Sequence, residues 1–202
     1  MFANEKKLNN LFLAWLKLSL LFVFLIIVVG GLTRLTDSGL SITKWELFTG
    51  ILPPLNESSW KYYFEEYKKI PQYDLLNFNM SLSEFKIIFY WEYIHRFLAR
   101  LIGLFILLPL IYFYLTKKIK SEYLNICSLI FILVVLQGLI GWFMVQSGLV
   151  NNITVSHYRL SIHLTLAIII ISIIFWLIRN IISKKNKKFF NISLMNFPYQ
   201  FL

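Results

Sequence analysis

Two histidines and one glutamate are the residues of this chain whose types and spacing could do chemistry. Glu92 and His95 lie three residues apart at the mouth of an apolar run that is long enough to span a membrane, and His163 has a similar position in another run. Ionisable side chains at membrane depth are costly, so by default they mark a functional site inside a helix bundle. Two imidazoles at one depth on facing helices can ligate a haem iron from both sides.

The depth of the histidines follows from the predicted ends of the two runs. From starts near Phe89 and Tyr158, each imidazole is about five or six residues in, roughly 8 or 9 Å at 1.5 Å per residue. Two ligands are too few for a closed zinc site. The simpler alternative is that each histidine is a hydrogen-bonded core residue. The matched depth and the nearby Glu92 favour ligation over that alternative.

The charged residues near these histidines each have two interpretations. Glu92 is either a catalytic carboxylate or the partner of Arg96 in an ordinary helical ion pair. Arg96 and Arg100 are interpreted as partners for Glu92 or for the carboxylates of a bound cofactor. Arg34 follows the first run, and Arg159 lies one helical turn outward of the second histidine. Both are placed to meet haem propionates or lipid headgroups, and the sequence favours neither.

The third run and the segment before the fourth add further candidates. Gln137 and Gly141 lie at about the depth of the histidines, where a glycine would admit a planar ring or, more commonly in membranes, serve tight helix packing. His157 is predicted in the outer loop, as a propionate or proton contact and not an axial ligand. Ser156 or Thr154 is then the N-cap of the following helix.

The composition predicts an all-α membrane protein. Of its 202 residues, 58% are hydrophobic and only 15% are charged, which is too apolar for a soluble domain. Four runs are long enough to span a membrane, at about 11–32, 87–115, 123–144 and 158–178. The net charge of +10 comes from lysines that flank these runs, so it indicates membrane orientation and not nucleic-acid binding. Cys127 is the only cysteine, which excludes dithiol chemistry within the chain.

The lysine positions predict a four-transmembrane-helix bundle with both termini on the cytoplasmic or matrix side. The long segment between the first two helices then forms an outer loop, in which 60–69 and 81–86 are predicted to be short amphipathic helices. Residues 1–188 are predicted to form a single haem-binding domain. The apolar tail 189–202 is too short to span a membrane, and we interpret it as an interfacial segment or a truncated link to a second half.

Four motifs together resemble the haem A synthase family, in its alphaproteobacterial and mitochondrial form. They are GGLTRLTDSGLS at 30–41, EYIHR at 92–96, QGLIGW at 137–142 and SHYRLSIH at 156–163. The likeness covers nearly all of residues 10–178. It implies an enzyme that oxidises the C8 methyl group of haem O to a formyl group, with water as the oxygen source. The product is the haem A of cytochrome c oxidase.

Members of this family usually have two similar four-helix halves, and the chain resembles the N-terminal one. The resemblance implies that His95 and His163 hold haem O as substrate, and that Glu92 is the family's essential glutamate. The family's haem B belongs to the second half, which is absent here. The implied partners are haem O, membrane lipid, haem O synthase, and a second half or a homodimer partner. The implied location is a bacterial or mitochondrial inner membrane.

Two other functions stay open at this stage. The same histidine pair would serve a b-type cytochrome that only transfers electrons. A haem-free assembly protein would use its histidines for hydrogen bonds in the core. The missing second half makes a fragment the favoured interpretation over a half-length protein that dimerises, and an isolated half is expected to bind haem without turnover.

Overall fold

A computed structural model describes residues 2–44, 49–117, 119–149 and 153–183, and every structural statement refers to these. Within them the chain forms six α-helices and a short 3-10 helix, Thr49–Ile51. The α-helices are α1 (Phe2–Leu35), α2 (Glu57–Tyr67), α3 (Pro71–Leu76), α4 (Leu82–Thr116), α5 (Ser121–Gln146) and α6 (His157–Ser183). Four of them contain segments long and apolar enough to cross a membrane, namely Leu8–Leu35, Leu82–Thr116, Ser121–Gln146 and His157–Ser183. The predicted all-α fold with four spans is confirmed.

The four long helices form a ring of neighbours. α1 packs against α4 and α6, and α5 also packs against α4 and α6. The helices α4 and α6 are therefore diagonal to each other across the bundle, as in an up-down four-helix bundle. We call the end of the bundle that carries residues 36–44, 49–81, 147–149 and 153–156 the outer end, and the opposite end the inner end.

The inner half of the bundle is filled by tightly packed apolar side chains. Phe12 and Trp15 of α1 contact Phe113 of α4, with ring centroids 5.1 and 5.6 Å apart. The indole Nε1 of Trp15 also donates a hydrogen bond to the backbone oxygen of Phe105 at 2.9 Å. Ile174 and Leu177 of α6 are completely buried in the same cluster. This half holds the four helices together.

A second apolar cluster lies at the outer end. It joins residues from the segment after α1, from α2, from the start of α4 and from the α5–α6 connection, namely Leu40, Ile42, Trp60, Phe64, Tyr67, Ile70, Phe85, Phe89 and Val155. The segment after α1 begins with a left-handed residue, Asp37 at φ 51°. There the N–H of Ser38 donates to the oxygen of Thr33 at 3.0 Å, which caps α1 and turns the chain across the bundle.

The structure corrects the prediction for the end of the outer loop. Residues 81–86 do not form a separate surface helix, because Ser81 caps α4 and the helix continues without a break to Thr116. The hydroxyl of Ser81 accepts from the N–H of Glu84, and the Glu84 carboxylate accepts from the N–H of Ser81, which is a capping box. The helix predicted at 60–69 is present as α2, two to three residues earlier.

Two further predictions concern His157 and the tail 189–202. His157 was predicted in the outer loop, but it is the first residue of α6, and its oxygen accepts a hydrogen bond from the hydroxyl of Ser161 at 2.9 Å. The tail 189–202 lies outside the described residues, as do the lysines that follow α6.

Candidate functional site

The two predicted ligands lie on the diagonal helices of the bundle, His95 on α4 and His163 on α6. Both side chains are partly buried. The predicted start of the run that carries His95 was wrong, because α4 begins at Leu82, where its first turns belong to the outer cluster.

Each imidazole packs against a glycine of the neighbouring helix. A Cβ atom added to Gly30 of α1 would lie 3.1 Å from Nε2 of His95. A Cβ atom added to Gly141 of α5 would lie 3.0 Å from Cε1 of His163. Real Cβ contacts are rarely this close, so any larger residue would push the imidazole away. The imidazoles thus lie directly against the backbone of the two glycines, and we call Gly30 and Gly141 the glycine seats.

The level of the histidines has few buried side chains. It comprises residues 24–32, 93–101, 131–146 and 156–166, which we call the histidine layer. None of the residues in these four described ranges is fully buried. The inner half of the bundle, by contrast, contains a cluster of buried apolar side chains. A flat ligand between the helices would add burial at this level.

Gln137 contacts α6 at His163. Its Nε2 donates a hydrogen bond to the backbone oxygen of His163 at 3.0 Å. Among the described residues, neither Oε1 of Gln137 nor Nδ1 of His163 has a hydrogen-bond partner, although both atoms are buried. Buried polar atoms are normally paired. Two such atoms on residues that contact each other fit a site that a bound group completes.

Glu92 is the most buried charged residue of the described chain, at 2% exposure. Its Oε2 accepts hydrogen bonds from the hydroxyl of Ser41 and from the backbone N–H of Ile42, both at 2.8 Å. Its Oε1 accepts from Nη2 of Arg96 at 2.6 Å. The ion pair with Arg96 is therefore present, and the carboxylate is also tied to the segment after α1.

Two predicted arginines line one small cleft between α4 and the outer loop. Arg96 and Arg100 lie there with Lys44 and Tyr93. The pKa of Lys44 is raised above its ordinary value, first by its hydrogen bond to Tyr62 and then by Glu66, so this side chain stays cationic. The cleft is suited to the anionic end of a ligand, such as a carboxylate.

The other predicted contacts are engaged elsewhere. Arg34 pairs with Asp37 at 3.2 Å near the surface. Nη1 of Arg159 donates to the oxygen of Phe143 at 2.6 Å, and its guanidinium lies 3.7 Å from the centre of the Phe143 ring. His157 is exposed at the start of α6. The structure therefore does not gather these three side chains with Arg96 and Arg100.

Several residues of the site were missed from the sequence. Ser41, Ile42 and Lys44 lie in a segment without periodicity, and Ser41 precedes Glu92 by 51 residues. Gly30 was noticed only as part of a motif. A pair of adjacent glycines signals close helix approach, but the sequence alone does not tell which of the two faces a histidine.

The chemistry of the described residues fits a haem between α4 and α6. The two histidines lie on diagonal helices, in a layer without a fully buried residue, and the buried Nδ1 of His163 has no hydrogen-bond partner within the described chain. Gly30 and Gly141 present no side chain of their own to the imidazoles that they contact. Of the residues that line the cationic cleft, Arg96 directly follows His95 on α4 and Arg100 lies five residues after it.

A family model described as cytochrome oxidase assembly protein, COX15-CtaA, matches residues 13–197. The chain belongs to this family. It is 57% identical over 191 residues to the "Heme A synthase" of Pelagibacter ubique, an alignment that covers 95% of this chain and 56% of the relative.

Other relatives carry the same name. The "Heme A synthase" of Azorhizobium caulinodans is 51% identical over 160 residues, which covers 79% of this chain and 46% of the relative. That of Flavobacterium psychrophilum is 44% identical over 184 residues, with coverage of 90% and 54%. The chain thus spans about half the length of the curated relatives it matches. No solved structure matches it.

Proposed function

We propose that this chain forms the half of a haem A synthase that holds haem O while its C8 methyl group is oxidised to a formyl group. The observation that carries the proposal is the histidine pair on the diagonal helices, in a layer of the bundle without a fully buried residue. The name "Heme A synthase" that the relatives carry supports a function in making haem A, and the family resemblance supplies haem O as the proposed substrate.

His95 and His163 would ligate the iron of the substrate haem from its two faces. Gly30 and Gly141 hold the imidazoles in place, and Gln137 ties the backbone of α6 to α5 beside the second ligand. Such fixed ligands orient the ring, and with it the methyl group that reacts. The haem supplies the redox chemistry, while the protein supplies position and a site with little water.

Glu92 is proposed to support the oxidation as a fixed negative charge near the haem edge. Oxidation of a methyl carbon develops positive charge there, which a carboxylate in a site of low dielectric constant stabilises. Both of its oxygens already accept hydrogen bonds from the protein. A role as proton acceptor would therefore require one of these donors to leave first.

The cationic cleft is the proposed site for the haem propionates. Arg96 and Arg100 are its candidates from the sequence, and Lys44 is added by the structure. Arg34, Arg159 and the exposed His157 stay secondary candidates that would reach a propionate only after leaving their present partners or positions.

The wider setting is also proposed. The helices belong in an inner membrane, bacterial or mitochondrial, with both termini on the cytoplasmic or matrix side. Water would be the oxygen source, and electrons would leave through a haem B in a second half or in a partner copy. Haem O synthase is the proposed source of the substrate. Residues 1–188 are proposed to act as one domain.

The test is to purify the chain from cells that make haem O and to extract its pigment. The proposal predicts bound haem O, and haem A when the matching second half of the Pelagibacter ubique relative is co-produced. A Glu92→Gln variant should keep haem O and lose haem A. Pigment consisting only of haem B would instead support the electron-transfer cytochrome. A purified chain without any haem would contradict both functions and leave the haem-free assembly protein.

A further inference from the structure

The segment after α1 forms a strap across the outer end of the bundle. We define the outer strap as residues 38–44. On one side it is held by α4, where Ser41 and Ile42 donate hydrogen bonds to Glu92 and Arg96 donates to the backbone oxygen of Ile42 at 3.0 Å. Both backbone groups of Ile42 are therefore fixed by two side chains of one helix.

The other side of the strap is fixed by the α5–α6 connection. A Cβ atom added to Gly148 would lie 2.7 Å from both methyl carbons of Leu40, so the strap packs directly on the backbone there. Leu40 is buried in the outer cluster together with Val155, which precedes α6. The outer strap thus runs across the outer end of the bundle, from α4 to the connection between α5 and α6.

The hydrogen bonds to Glu92 are the main polar contacts that hold the outer strap on α4. A carboxylate that is 2% exposed must have partners, because an unpaired buried charge is very unfavourable. Of its three donors, two belong to the strap and one, Arg96, also binds the strap. Charge-assisted hydrogen bonds are about twice as strong as neutral ones. A further polar contact of the strap with α4 is a 3.3 Å bond from Ser41 to the oxygen of Ile88.

We propose that Glu92, besides the charge it supplies near the haem edge, is a positioning residue that with Ser41 and Arg96 clamps the outer strap over the haem site. The clamp keeps the outer end of the bundle closed, slows the loss of bound haem and limits entry of water from that side. This inference deepens the proposed function and rests on it. The state of the strap can also be measured without haem, so that failure of the clamp and failure of the haem site are distinguishable.

The first test is hydrogen exchange of the strap in the full chain, in haem-free lipid nanodiscs. Glu92→Gln and Ser41→Ala should each make the strap amides, that of Ile42 above all, exchange about tenfold faster or more, which corresponds to the loss of one hydrogen bond to a charged group. Ser41→Thr keeps the hydroxyl and should restore slow exchange. Glu65→Gln, at an exposed glutamate of α2, and Ser128→Ala, in the inner half of α5, are the matched controls and should leave the strap unchanged.

The second test uses the haem-loaded chain. Ser41→Ala and Glu92→Gln should both release haem about tenfold faster to an acceptor protein, with an unchanged bis-imidazole spectrum, and Ser41→Thr should release it at the original rate. The clamp is wrong if Glu92→Gln leaves strap exchange and haem release unchanged. It is also wrong if Ser41→Ala leaves strap exchange and haem release as in the parent chain, whatever Glu92→Gln does to haem A formation, because the strap would then not depend on the hydrogen bond between Ser41 and Glu92. If the chain binds no haem but its variants show the predicted exchange pattern, the clamp is supported and the proposed haem site is contradicted.

Discussion

The inner and outer halves of the bundle are built in opposite ways. The inner half is a close-packed apolar core with aromatic contacts between α1 and α4. The histidine layer in the outer half has no fully buried residue within its described ranges. At the outer end, the outer strap crosses the bundle and is held by polar and apolar contacts. The two halves therefore differ in role: the inner half stabilises the bundle, and the histidine layer of the outer half is the proposed ligand site.

The largest effect on stability is expected in the inner half. Phe113→Ala removes a side chain that is 1% exposed and contacts two aromatic rings, so we expect the free energy of unfolding to fall by about 3–5 kcal/mol. Haem affinity of the protein that stays folded should change little. Phe175→Ala, at an exposed position of α6, is the control and should cost far less. Thermal unfolding in detergent, with haem titration, measures both quantities. Equal losses for the two variants would contradict this difference in role between the halves.

The next effect belongs to the glycine seats. Gly30→Ala and Gly141→Ala would each displace an imidazole by a few tenths of an ångström, and we expect haem affinity to fall about tenfold or more, as for other residues that orient ligands. Gly31→Ala and Gly138→Ala are matched controls on the same helices, since their added Cβ atoms meet nothing within 4 Å. Titration of each variant with haem separates seats from controls. If the controls lost as much affinity, helix packing and not the imidazole position would be the cause.

A smaller effect is expected at Gln137. Gln137→Ala removes its hydrogen bond to the oxygen of His163, which is worth about 1 kcal/mol. We predict a haem affinity reduced about fivefold, with the bis-imidazole spectrum retained. Gln146→Ala, at the end of the same helix, is the control. Loss of the bis-imidazole spectrum in Gln137→Ala would contradict this prediction, because the side chain would then be needed for ligation and not only for the contact between α5 and α6.

The smallest effect tests the start of α4. Ser81→Ala removes the capping box, and we expect the free energy of unfolding to fall by about 1 kcal/mol without any change in haem affinity. Ser83→Ala, two residues later, should have a lesser effect. Unfolding curves of the two variants measure this difference. A change in the haem affinity of Ser81→Ala would contradict the prediction, because it would mean that the outer cluster affects the histidine layer.

The sequence was a good guide to the spans, because long apolar runs have few alternatives to membrane helices. It was a poorer guide where a helix leaves the apolar region. The first turns of α4 are amphipathic and pack in the outer cluster, so hydropathy placed the start of this helix too late. The tail 189–202 and the division into domains stay predictions.

The site was predicted in part. Residue type and spacing identified His95 and His163 as candidate ligands and gave an ion pair with Arg96 as one of two interpretations of Glu92. The structure confirms this ion pair. The partners of Glu92 in the strap were not predictable, because they come from a distant segment whose path depends on tertiary packing. The glycine seats depend on how each helix is rotated about its axis, which motif spacing does not specify. Haem ligation by the two histidines stays a prediction.

The most direct test of the central claim is the electron paramagnetic resonance spectrum of the ferric haem-loaded chain. If His95 and His163 clamp one iron between the diagonal helices, the parent chain gives a low-spin bis-imidazole signal. Replacing either histidine alone with alanine must then remove that signal, while thermal unfolding stays near that of the parent. A low-spin bis-imidazole signal that persists in either single variant would contradict the account.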